Sequence, residues 1–176
     1  MNLDQIKAMA HSPLHNYAIP GLTSWIIGAN PDPQRGCVRL FECSRDHLEL
    51  IIPHSHRFDF QCLVLRGEVN NVVWTEDEEG DAYVVSTLLY GGEPGTYNRN
   101  MHTDVQRFSR QINRHKEDEW YGMKHDEIHS IFFGRGSAVL FFEGPQVTSQ
   151  SLILEPSVDE QWVRTFQVEP WMFRKG

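Results

Sequence analysis

Leu48-Glu49-Leu50-Ile51-Ile52-Pro53-His54-Ser55-His56-Arg57-Phe58-Asp59-Phe60-Gln61-Cys62-Leu63-Val64-Leu65-Arg66-Gly67 is the stretch around which the chain is organised. Side chains on a strand alternate between faces, so Leu48, Leu50 and Ile52 share one face and His54 and His56 continue it. An apolar inward face that ends in two imidazoles needs partners for their ring nitrogens, because burying unpaired polar groups costs free energy. A divalent metal is one such partner, since neutral imidazole ligates zinc, iron, copper and nickel. Water at a strand end is the other.

The bulk properties narrow the function. A chain of 176 residues fits one domain, 1–176, and can bury a substantial core. A formal charge of -8 argues against a general nucleic-acid binder and against docking on anionic lipid. No apolar run approaches the roughly 20 residues of a membrane span, and Met1 to Ile6 lacks the layout of a signal peptide. Cys37, Cys43 and Cys62 are odd in number and have no C-x-x-C spacing, which points to free thiols and a cytoplasmic protein.

Outward from the opening stretch, the pattern is one of short strands. Leu3 to Met9 is expected to form a short amphipathic helix. Strands are expected over Leu22 to Ala29, Gly36 to Cys43, Leu48 to His56, Gln61 to Trp74 (with room for a turn or bulge around Gly67 to Asn71), Ala82 to Tyr90, Trp120 to Lys124, Ile128 to Phe133, Ser137 to Glu143 and Thr148 to Glu155. A last piece falls around Trp162 to Val168. The acidic run Glu76 to Asp81 reads as a solvated turn. Gly91 to Glu117 is polar, Arg-rich and poor in pattern, and is expected to be a loop or lid. Nine or ten short strands with Gly, Pro and Asp turns indicate an all-β sandwich or barrel.

Several groups converge on the two histidines. Gln61 shares a face with Leu63 and Leu65 and is expected to point inward beside them, leaving Cys62 on the opposite face. His129 opens the strand that carries Ile131 and Phe133 on the same face. Two imidazoles from one strand and a third from a distant one, with an open position, is a usual layout for a catalytic metal site. Asp59 is a candidate to orient a ligand from behind. His125 sits in a turn and reads as a surface or supporting histidine. Tyr121 is a candidate pocket wall, with core packing as its default. Arg57 and Arg66 are candidates for binding a substrate anion, with solvent exposure the simpler reading.

The run H-S-H-R-F-D-F-Q-C-L-V-L-R-G (54–67) resembles the first motif of the cupin superfamily, and Tyr121 to Ile131 resembles its second motif, a turn followed by one histidine. Leu140 to Pro145 is similar to the strand and turn that follow in small single-domain cupins. The resemblance spans about 36–156 and implies a jelly-roll β-barrel with a mononuclear metal at one mouth. It carries His54, His56 and His129 over as ligands and puts Gln61 where many cupins have a glutamate. The site would then be four-liganded with a weak Gln61, a three-histidine site like that of cysteine dioxygenase-type cupins, or one with degraded affinity. The second-motif proline and glycine are absent, and the 91–117 interval is an insertion relative to the superfamily.

These residues suit a metal-dependent enzyme, foremost an Fe(II) dioxygenase acting on a small organic molecule, with Zn, Mn or Ni as alternative ions. A metal-dependent isomerase or hydrolase uses the same ligands. The alternatives from other classes are a non-catalytic small-molecule or metal-binding protein, and a structural protein with a vestigial site. Pairing of two copies through sheet edges is a further expectation.

Overall fold

The computed structural model describes residues 2–46, 51–90 and 97–157. The strand expected over Trp162 to Val168 and the start of the one expected over Leu48 to His56 lie outside them.

Among the described residues, ten strands follow one short helix. Helix α1 (Leu3–Lys7) is closed at its start by a capping box between Asn2 and Gln5, each side chain taking the other's backbone N–H. The strands are β1 (Ala10–His15), β2 (Leu22–Asp32), β3 (Gly36–Cys43), β4 (Phe58–Arg66), β5 (Glu68–Tyr90), β6 (Tyr97–Lys116), β7 (Trp120–Met123), β8 (Ile128–Phe133), β9 (Ala138–Gln146) and β10 (Gln150–Pro156). One sheet runs β1-β2-β3-β9-β4-β7; in the other β5 pairs with β6, β8 and β10. Residues 53–55 enter this second sheet through His54, which bridges His129 on β8 and Ile153 on β10. The two faces of the barrel are thus β3-β9-β4-β7 and the His54 segment-β8-β5-β6, all antiparallel, which is a jelly roll.

Three cores result. Between the sheets lie Phe60, Cys62, Val64, Val69, Met123, Phe133 and Val139, with Phe41, Phe58, Ile131 and Phe141 against them. Behind β5 and β8, Val72, Trp74, Tyr83, Phe108, Phe132 and Leu154 form a second cluster. On the outer face of the six-stranded sheet, Ile6 of α1 seals Leu40, Ala138 and Leu140, with Leu63 and Leu65 beside them.

Three expectations are corrected. The interval 91–117 is not a loop where described: 97–116 is β6, paired along nearly the whole of β5. Its weak pattern has a simple cause. It is an edge strand, and among its described side chains only Phe108 is fully buried, with polar residues at most of the other positions, as edges require. The acidic run is not a terminating turn but an excursion inside β5, since Glu76 and Asp81 both register against Phe108. Finally, 51–56 is not a regular strand. Pro53 has no N–H to donate to a ladder, pairing is confined to the bridge at His54, and Ile52, expected inward, is 51% exposed.

Candidate metal centre

The segment that carries the first two histidines is pinned along its length. His54 N–H donates to His129 O and His129 N–H to His54 O, both at 2.9 Å. Ser55 N–H donates to Leu152 O and Leu154 N–H to Pro53 O, each at 2.9 Å. His56 N–H donates to His125 O at 3.0 Å, and Ser130 Oγ to Ile51 O at 2.6 Å. A directly opposed antiparallel pair presents its side chains on one face, so His54 and His129 meet there although 75 residues separate them in the chain. His56 completes the group: its ring centroid lies 4.9 Å from that of His54 and 5.1 Å from that of His129. One ring nitrogen from each falls within 4.8 Å of the others.

Hydrogen bonds settle which nitrogens face inward. His54 Nδ1–H donates to Ile52 O at 2.8 Å, and His129 Nδ1–H donates to Asn71 Oδ1 at 2.6 Å. Asn71, itself buried, donates its amide to Met123 Sδ at 3.4 Å. Both rings therefore keep a lone pair on Nε2. His129 Nε2 stands 2.9 Å from His56 Nε2, a separation that calls for an electrophile between them. Burial holds all three imidazoles in the neutral form that a metal requires. It lowers the pKa of His54; His56 falls to about 3 through burial and then the neighbouring His54, and His129 falls well below the ordinary value through burial, then His56 and His54. The donor set fits a divalent ion.

The walls are aromatic. Phe60 meets His56 edge-on at 4.8 Å and His129 at 5.4 Å; Phe58 and Phe141 lie 5.4 and 6.3 Å from His56. Among the described residues no carboxylate belongs to the histidine group.

The structure places the remaining sequence candidates elsewhere. Gln61 does not point inward: it is exposed on the outer face of the sheet, while Phe58, Phe60, Cys62 and Val64 face the barrel. Both faces of β4 are apolar because α1 covers the outer one, so Leu63 and Leu65 gave a misleading direction. Cys62 is correspondingly a barrel residue. Its thiol is pushed up to about 12 by burial, and it shares a hydrogen bond with Tyr121. Tyr121 lies on the same inner face, its ring stacked on His115 at 4.3 Å. Asp59 touches none of the three histidines. Its carboxylate accepts from Lys124 Nζ at 2.7 Å and from the backbone and ring of His125 at 2.9 and 3.1 Å, and Lys124 foremost holds its pKa down at about 2. Asp59 thereby anchors the turn whose His125 carbonyl fixes the His56 backbone. Arg57 lies over the Tyr90 ring, 4.4 Å from its centre, and Arg66 donates to Gly136 O at 2.6 Å. Asn71 is the residue that sequence reading missed. Its one signal is an amide between Val69 and Val73 on the inward face of an apolar strand.

Fold and site together define an antiparallel jelly roll that brings three histidines into one group. Solved structures of similar shape include KdgF from a Halomonas species (15% identity, 77% of this chain and 87% of that one, TM-score 0.41). Others are the Drosophila melanogaster CENP-C cupin domain (10%, 76% and 76%, TM-score 0.42) and an oxalate decarboxylase variant from Bacillus subtilis (12%, 94% and 32%, TM-score 0.46). No protein-family model matches the chain, and no curated protein matches it in sequence.

Proposed function

We propose that the chain binds one divalent metal through His54, His56 and His129 and uses it to transform a small organic molecule, with Fe(II)-dependent oxygenation the best-suited reaction. The observation that carries this reading is the pair of neutral imidazoles whose outer nitrogens are tied to Ile52 O and Asn71 Oδ1, leaving Nε2 lone pairs directed at one point with His56. Three neutral donors leave the ion its full charge and open positions, and a bound ion of this kind supplies Lewis acidity and, for iron, access to dioxygen. Phe58, Phe60 and Phe141 offer an apolar wall and keep water from the reacting end. Asn71 and the Ile52 carbonyl hold the tautomers of their histidines.

Protein purified without chelator is expected to carry close to one metal per chain, and Fe(II), Mn(II), Ni(II) or Zn(II) to raise the Tm of the stripped protein. His56→Ala should abolish both effects. Equal metal content in wild type and His56→Ala would overturn the ligand assignment. Oxygen consumption across a panel of organic acids, thiols and diketones then separates an enzyme from a metal-binding protein. A second reading has its own support: a proton on His56 Nε2, donated to His129 Nε2, also accounts for the 2.9 Å contact and makes the site vestigial. Absence of stoichiometric metal together with an unmoved Tm selects it.

A further inference from the structure

Beyond the phenylalanines the inner wall carries charge. Arg39 shares a face of β3 with Phe41 and Cys43, both in the barrel core, and its cross-strand partner on β9 is Phe141. Phe141 is the ring that stands 6.3 Å from His56 and 4.9 Å from Phe60. One step further along the same face, Cys37 is paired with Glu143. From the histidines, the wall therefore runs through phenylalanine to Arg39, Cys37 and Glu143.

The contacts of this group are unusual. Arg39 donates to Ser24 Oγ at 3.4 Å and hydrogen-bonds to the Cys37 thiol. Cys37 Sγ donates in turn to Glu143 Oε2 at 3.3 Å. Among the described residues no carboxylate ion-pairs with Arg39, although the guanidinium is half-buried. A half-buried cation without a counter-ion is costly, and the Glu143 carboxylate on the same face is engaged by the Cys37 thiol. Gly36 fixes that spacing: at φ +77°, any Cβ there would sit 1.9 Å from Glu143 O, so β3 and β9 approach too closely for another residue.

We propose that Arg39 and the three-histidine group are the two ends of one ligand site on this inner wall, and that the ligand is an aromatic carboxylic acid. Its carboxylate is taken by the Arg39 fork, its ring by Phe58, Phe60 and Phe141, and its far end is presented to the histidines. Cys37 keeps Glu143 from occupying the guanidinium. What becomes of the ligand rests on the metal-site reading above; its capture does not.

The test is binding of 3-phenylpropionate, its neutral amide and hexanoate to the full chain, metal-free and Zn(II)-loaded, by calorimetry. The acid is expected to bind at least about tenfold more tightly than the amide or hexanoate. Arg39→Leu should weaken the acid by about 30-fold or more with metal content and amide binding unchanged, and Arg39→Lys should fall between. Cys37→Ala should also weaken the acid, because Glu143 then closes on Arg39, and adding Glu143→Gln should restore it. General misfolding would not produce that rescue. Equal binding of acid and amide by wild type, no binding of the acid at millimolar concentration, or a preference that survives Arg39→Leu each overturns the proposal. Hexanoate binding as tightly as the aromatic acid overturns the ligand class. Loss of metal in every preparation with the Arg39-dependent preference intact would sink the metal reading and leave this one standing.

Discussion

At the residue scale, His129 depends on a side chain that is not a ligand. Removing the Asn71 acceptor leaves a buried Nδ1–H without its 2.6 Å partner and frees the ring to turn or change tautomer. Partners of this kind typically contribute 10–100-fold to metal affinity, so Asn71→Ala is expected to weaken metal binding by about that factor in a chelator-competition titration, while Asn71→Asp retains more of it. Gln61 supplies the control. Exposed on the outer face, Gln61→Ala should leave metal content and Tm at wild-type values; a tenfold loss of affinity would restore it to the site. Direction was the weak point of the sequence reading here. Alternation locates the two faces of β4 without error, but Leu63 and Leu65 are as apolar as Cys62 and Val64. Only the position of Ile6 above the outer face explains why both rows are greasy.

At the scale of elements, the short helix α1 acts as a lid on a sheet rather than as a helix in its own right. Five residues are too few to be stable alone, and the helix is held by its capping box and by Ile6, which is 1% exposed between Leu40, Ala138 and Leu140. Ile6→Ala is expected to cost about 2–5 kcal/mol in urea unfolding, the range for cavity-forming truncations of a buried isoleucine. A cost below about 1 kcal/mol would show that the helix does not seal that face. The segment 51–56 teaches the converse. Pro53 forbids a regular strand, yet side-chain and backbone bonds from β8, β10 and the His125 turn hold every residue that the histidines need. Regular structure was therefore expected where irregular pinning does the same job.

At the scale of the whole molecule, three imidazoles are kept neutral in a place where the unfolded chain would protonate them. Their folded-state pKa values lie below the ordinary value of about 6.5, that of His56 at about 3. Between those limits the unfolded state binds more protons, so stability rises with pH there and is lost as pH falls below about 6.5. Metal-free protein is expected to show a clear fall in Tm between pH 7.5 and pH 5, with a smaller fall in a His56→Phe variant; parallel pH profiles would contradict the burial of these rings. By itself the sequence determined the all-β class, most strand positions, and the three histidines, because alternation and residue type are local properties. Tertiary structure alone decided that Gln61 faces away, that 97–116 is a strand, and that Asn71 and Arg39 belong to the same interior as the histidines. Each of these depends on which surface is covered and which strands lie side by side, and such contacts between distant residues leave no period in the chain.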